Sequence, residues 1–273
     1  MPSFAVINQK GGVGKTTTAV NLGAALAEAG YRVAVIDLDP QAHASLHLGI
    51  EANTSLPSMY DVLMGGATLS STWQLARERL WVARADIDLA AVEVELAGAQ
   101  GRERRLQHAF AEADVNERFD FVLIDCPPSL GVLTLNALAA VSHVLLPLQP
   151  HFLALDGLSK LLDTIAAVGA RWNPGLRLAG VVLCLYESGT RLAAEVAGDV
   201  RTFFNQSKRS AVPWSEAQVF KAVIRRNIRL AESPSFGQSI FDYAPTSPGA
   251  ADYKALAGEI AHHFATAKTA SAA

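Results

Sequence analysis

The run Lys10-Gly11-Gly12-Val13-Gly14-Lys15-Thr16-Thr17 stands between an apolar segment, Phe4-Ala5-Val6-Ile7, and a helical pattern from Ala19 to Ala29. Strand, glycine-rich loop and helix, in that order, make a phosphate cradle. Glycines let the backbone close on phosphate oxygens, and the helix N-terminus aims N–H dipoles at them. Gly11, Gly12, Val13, Gly14, Lys15, Thr16 and Thr17 form the expected nucleotide-binding set. Lys15 reaches the β- and γ-phosphates and the Thr16 hydroxyl binds Mg2+. The general pattern G-x-x-x-x-G-K-[ST] puts its first glycine at position 9, which is Gln9, and a second lysine, Lys10, lies inside the loop. A chance glycine-rich turn with two solvated lysines is the plain alternative. The strand before and the helix after argue against it.

Carboxylates follow two other apolar runs. Val33-Ala34-Val35-Ile36 leads into Asp37-Leu38-Asp39-Pro40-Gln41, with two acids two residues apart. In an extended segment they point the same way, whereas a turn at Pro40 separates them. Phe121-Val122-Leu123-Ile124 ends in Asp125-Cys126-Pro127-Pro128. An apolar strand ending in Asp is the Walker B pattern, whose carboxylate holds Mg2+, often through water. Any one of these acids could cap a turn. Three of them at strand ends beside a phosphate loop are harder to read that way.

Between Arg201 and Arg229 lie seven basic residues, Arg201, Lys208, Arg209, Lys221, Arg225, Arg226 and Arg229, opposed within the segment only by Glu216. On a chain of net charge −3 this reads either as a footprint for a polyanion or as a solvated face. The two cysteines, Cys126 and Cys184, each adjoin a strand pattern and lack zinc-site spacing. They read as small packed residues.

The elements that must position these groups alternate along the chain. Strands are expected at Phe4–Asn8, Arg32–Asp37, Leu80–Ala83, Phe121–Asp125, His143–Leu148, Leu178–Leu185 and Val219–Ile224. Helices are expected at 16–29, 58–64, 103–113, 133–140, 155–169, 192–204 and 250–265. Continuous apolar strands alternating with helices predict an α/β fold, a doubly wound, mostly parallel sheet flanked by helices. In such a sheet the loops after the strands gather at one edge, where ligands bind. With 273 residues, half of them hydrophobic, one large domain over 1–267 is expected, and 268–273 is read as a disordered tail. No leader or membrane-length apolar run is visible, so a cytoplasmic protein without membrane attachment is expected.

The combined segments resemble one family closely. Asn8-Gln9-Lys10 through Thr18, Asp37-Leu38-Asp39-Pro40-Gln41, Asp125-Cys126-Pro127-Pro128-Ser129-Leu130-Gly131, Pro147-Leu148-Gln149-Pro150 and Arg226-Asn227-Ile228-Arg229-Leu230-Ala231-Glu232 are similar to those of the ParA/MinD deviant Walker A ATPases, in particular the short ParA (Soj-like) partition branch. The likeness runs from Ala5 to about Phe264. It implies ATP and Mg2+ as cofactors and a homodimer in the ATP state. In that dimer Lys10 crosses to the partner's nucleotide. Lys15 grips phosphate, Thr16 and Asp125 lie at Mg2+, and Asp39 positions or activates the attacking water near the metal. Arg226 falls in the nucleotide-binding set. The resemblance further implies binding to double-stranded DNA without sequence preference, through Arg201, Lys221, Arg225, Arg226 and Arg229, and hydrolysis stimulated by a ParB-like partner. Chromosome or plasmid partition and a nucleoid-associated location follow. Arg226 and Arg229 would share a face if their turn is helical.

Three departures stand out. Ala42-His43 replaces the family's usual Gly-Asn, Arg225 replaces a proline near the expected adenine pocket, and the stretch 208–217, with Pro213-Trp214, is longer than the family's usual one. The Trp reads as a loop anchor or a partner contact. Other readings keep the ATPase but change its task. A protein cargo such as a chemoreceptor cluster or microcompartment is one. A MinD-like membrane role lacks its amphipathic C-terminal helix. A nitrogenase-iron-protein-like redox role lacks a second matching cysteine.

Overall fold

Successive residues of the central strands belong to opposite layers of core. Phe4 and Val6 pack into one layer and Ala5 and Ile7 into the other. Phe121 and Leu123 divide likewise from Val122 and Ile124. Both faces are covered, so the strands are apolar throughout rather than alternating.

The computed structural model describes residues 1–51, 55–151 and 154–265, the side chains of 154–156 excepted. The expected tail at 268–273 lies outside the described residues. The strands are β1 (Ser3–Val6), β2 (Val33–Asp37), β3 (Trp73–Arg77), β4 (Leu80–Ala83), β5 (Phe121–Asp125), β6 (His143–Leu148), β7 (Arg177–Tyr186) and β8 (Gln218–Arg225). They form one sheet in the order β3-β4-β2-β5-β1-β6-β7-β8. All pairings are parallel except β3 with β4. The expected doubly wound sheet is therefore present.

The helices, in chain order, are α1 (Lys15–Glu28), α2 (His43–His47), α3 (Met59–Met64), α4 (Val92–Glu95), α5 (Arg105–Glu112), α6 (Val115–Arg118), α7 (Val132–Ala140), α8 (Ala154–Arg171), α9 (Arg191–Ser207), α10 (Ile228–Glu232), α11 (Ile240–Tyr243) and α12 (Pro248–Phe264). Leu22 and Leu26 of α1 and Tyr253, Leu256 and Ile260 of α12 pack on one face of the sheet. Leu106 of α5, Leu133 of α7, Leu162 of α8 and Val200 of α9 pack on the other. Gly23 lets α1 lie close, since a Cβ there would stand 3.0 Å from Val35 Cγ2. Ser247 caps α12 by accepting from the Ala250 N–H at 3.2 Å, with Pro248 in the first turn.

Strand β3 was not expected. It is a half-exposed edge strand that reaches β4 through a tight turn with Arg79 at φ 60°. Its mixed sequence, Trp-Gln-Leu-Ala-Arg, hides it from an apolar-run search. At the other edge the pairing of β8 with β7 is irregular between Val219 and Val223. The N–H groups of Lys221 and Ala222 donate instead to the Glu259 carboxylate of α12, at 2.9 and 2.6 Å. The irregular segment thus leaves neither donor unpaired. Trp214 is half-buried and packs against the core, as a loop anchor would. Among the described residues no helix is long and apolar enough to cross a membrane.

Candidate functional site

The phosphate loop leaves β1 through Asn8. The Asn8 side-chain amide donates to the Pro147 carbonyl at 2.8 Å, and its oxygen accepts from the Lys10 N–H at 2.9 Å. The loop is thereby tied to the end of β6. Gly12 and Gly14 have φ of 70° and 96°, left-handed values at which a side chain would be strained. Gly14 caps α1, and its carbonyl accepts from the Thr18 N–H at 2.8 Å.

The two lysines of the loop part company. Lys15 is buried, lines the cavity beside the loop and donates to the Lys10 carbonyl at 3.3 Å. Burial lowers its pKa, against the raising influence of Asp125 and Asp39. Lys10 is exposed, lies outside that cavity's lining and reaches Gln149 Oε1 at 3.4 Å.

Three acids meet this loop. Thr16 Oγ1 donates to Asp125 Oδ2 at 2.7 Å, while the buried Asp125 Oδ1 has no hydrogen-bond partner among the described residues. Asp37 is also fully buried and stands in register with Asp125 on the adjacent strand. Its Oδ2 accepts from both the N–H and the hydroxyl of Ser45 at 2.8 Å, and its Oδ1 from the Asp39 N–H at 3.2 Å. Asp37 therefore holds the segment 39–45 in place. Asp39 is half-exposed and lines the cavity; its Oδ1 accepts from the Gln41 N–H at 3.0 Å, closing a turn. Burial raises the pKa of Asp37 to about 6. Burial, then the Asp37 charge, pushes Asp125 well above the usual carboxylate range.

The cavity encloses about 540 Å³. One wall is the loop, with Gly11, Gly12, Gly14, Lys15, Thr16, Thr17 and Asp39. The other is largely apolar, formed by Cys184, Leu185, Ile224, Leu230, Ala231 and Tyr253 together with Arg225 and Asn227. Of the expected nucleotide-binding residues, Val13 and Arg226 do not line it. Val13 is buried in the protein, and Arg226 turns outward to Glu187 at 3.0 Å. The second wall was not foreseen as a set, because it joins the ends of β7 and β8 with α10 and α12. His43, at the start of α2, also lines the cavity, and Ala42 before it has φ 53°.

The basic segment is less free than its composition suggests. Arg225 pairs with Asp252, Arg226 with Glu187 and Arg229 with Glu232. All three carboxylates lie outside the segment 201–229. Arg201 on α9 and Lys221 on β8 are exposed and make no ion pair among the described residues. Arg226 and Arg229 do not share a helical face. Asn227 caps α10, accepting from the Arg229 N–H at 2.8 Å, so Arg226 precedes the helix. Cys126 and Cys184 are buried and reduced; burial pushes the Cys184 thiol up to about 12.

A glycine-rich loop between β1 and α1, with aspartates at the ends of neighbouring β2 and β5, defines a P-loop nucleoside triphosphatase. Residues 1–178 match a family model described as an AAA domain. The chain is 44% identical over 258 residues to the chromosome partitioning protein ParA of Caulobacter vibrioides, covering 94% of this chain and 92% of that protein. It is 44% identical over 259 residues to the sporulation initiation inhibitor protein Soj of Bacillus subtilis, covering 94% and 97%. A solved structure from Mycobacterium smegmatis, described as cobyrinic acid a,c-diamide synthase with bound ATP analogue and magnesium, matches with a TM-score of 0.80 at 38% identity. It covers 97% of this chain and 95% of that one. The chain belongs to the ParA/Soj family of partition ATPases.

Proposed function

We propose that this protein is an ATP-driven, Mg2+-dependent dimerising switch that binds double-stranded DNA without sequence preference and partitions a chromosome or plasmid. The observation that carries this reading is the divergence of the two loop lysines, Lys15 inside the cavity and Lys10 outside it. A cation on the outer side of a phosphate loop is available to a second copy of the chain.

Lys15 and the loop N–H groups of Gly11 to Thr17 hold the triphosphate. The Thr16 hydroxyl and Asp125 suit Mg2+, because Asp125 Oδ1 is a buried acceptor without a partner among the described residues. Two protein oxygens suffice for an ion that keeps waters and substrate oxygens in its shell. Bound Mg2+ would offset charge across the β- and γ-phosphates. Asp39, also near the metal, orients or activates the attacking water from the cavity wall. Lys10 of a second copy neutralises charge that builds on the γ-phosphate, so turnover is slow until two chains meet. Arg201 and Lys221 are the least encumbered DNA contacts, and Arg226 and Arg229, each already paired with a carboxylate, are further ones. Such contacts supply affinity without sequence reading. A ParB-like protein accelerates hydrolysis and resets the switch, placing the protein on the nucleoid in the cytoplasm.

The test is DNA retention with ATP, with ADP and without nucleotide, for wild type, Lys10→Ala and the double variant Arg201→Ala/Lys221→Ala. Retention is expected only with ATP and is lost in both variants. Equal retention under all three conditions would refute the switch.

A further inference from the structure

The apolar wall of the cavity carries one charged side chain, and that side chain is held rigidly. Arg225 Nε donates to both carboxylate oxygens of Asp252, at 3.1 and 3.0 Å, and its backbone N–H donates to Oδ2 at 3.0 Å. Nη2 also serves Asp252 and the Pro248 carbonyl. The Asp252 side chain is only 9% exposed, so the guanidinium plane is anchored against α12. Nη1 has no hydrogen bond among the described residues. The adjacent Arg226 faces solvent and Glu187 instead.

A second irregularity lies on the same wall. Cys184 pairs with Ile224 and Tyr186 with Arg225, so Leu185 is an extra residue in β7. It sits at φ 50°, a left-handed value that costs a bulky residue energy. Leu185 lines the cavity beside Ile224 and Arg225. Phosphate charge needs no cation here, because Lys15 and the loop already meet it. A planar cation beside apolar side chains suits a planar, electron-rich ring.

We propose that Arg225 is the base-contacting residue of the nucleotide site, presenting its anchored guanidinium to a purine seated against Leu185, Ile224 and Leu230. This rests on the reading that the cavity takes ATP. It assigns Arg225 to the nucleotide rather than to DNA. Asp252 is the positioning residue, because it fixes the guanidinium without reaching the base.

The experiment measures binding of Mg–ATP and of Mg–tripolyphosphate, which lacks ribose and base, to the full chain. Arg225→Ala removes the cation; Arg225→Lys keeps a charge for Asp252 but removes the plane. Both are expected to weaken ATP about tenfold and to leave tripolyphosphate within about twofold. Equal loss for both probes, or no loss for either, overturns the assignment. Weakened DNA binding with ATP affinity intact overturns it too and returns Arg225 to the DNA surface. Failure of the wild type to bind either probe would instead sink the nucleotide reading itself.

Discussion

Asp37 and Asp125 occupy matching positions on adjacent parallel strands, and both carboxyl groups are fully buried. Only one has a spare oxygen. Both Asp37 oxygens accept hydrogen bonds, from Ser45 and from the Asp39 N–H, whereas Asp125 Oδ1 has no partner among the described residues. The pair therefore divides into a holder of the neighbouring loop and a buried acceptor with one oxygen left over, the group we propose for Mg2+.

The first consequence is a pH dependence. Both folded-state pKa values lie above the unfolded ones, Asp37 at about 6 against 3.8. The contribution of each is full below about pH 4; that of Asp37 is lost as pH rises through about 6, and that of Asp125 as pH rises through its own raised pKa. The melting temperature of the nucleotide-free protein should fall between pH 4 and pH 7 more steeply than that of Asp125→Asn. Parallel curves would contradict this.

At alkaline pH, where the buried carboxyl ionises, the same substitution should stabilise the nucleotide-free protein by ~1–2 kcal/mol, because it removes that charge. It should also abolish the extra thermal shift that Mg2+ gives in the presence of ATP. In the wild type that Mg2+-dependent shift should shrink from pH 7.5 to pH 5.5, since a proton competes for the carboxylate. A Mg2+ effect that survives in Asp125→Asn would remove Asp125 from the metal site.

Lys10→Ala and Lys15→Ala should separate two functions. Lys15→Ala should weaken ATP at least tenfold, as expected for losing a buried phosphate contact. Lys10→Ala should bind ATP within about twofold of wild type yet remain monomeric with it. Calorimetry and light scattering read the two outcomes, and matching defects in both assays would mean the lysines act together.

Asp39→Ala should trap an ATP-bound dimer, because water is no longer oriented while phosphate contacts remain. Size-exclusion chromatography with ATP should show the dimer persisting after wild type has returned to monomer. A monomer throughout would count against the role given to Asp39.

Ala42→Gly should be stabilising. Ala42 sits at φ 53°, which costs an L-residue roughly 1–2 kcal/mol, and glycine's added unfolded-state entropy offsets part of that. A net gain of ~0.5–1 kcal/mol, or a rise of about 1–3 °C, is expected in thermal unfolding. A fall in melting temperature would show that the strain is not relieved.

The central sheet and the loop chemistry were legible because they are local. A strand buried on both faces writes itself as an apolar run, and a phosphate loop as glycines before Lys15 and Thr16. Strand β3 was invisible because an edge strand needs no such run. The pairing of Arg225, Arg226 and Arg229 was invisible for another reason. Their carboxylates, Asp252, Glu187 and Glu232, come from outside the basic segment, two of them more than twenty residues away. The role of Asp37 was equally hidden, since only the folded loop shows Ser45 occupying it.

The extra residue in β7 has a reach beyond its own strain. Because β7 counts two steps where β8 counts one, Tyr186 rather than Leu185 stands opposite Arg225. Deleting Leu185 alone would move Tyr186 into its place at the cavity wall. The lining of the pocket at that end thus depends on the register of a single residue, Leu185.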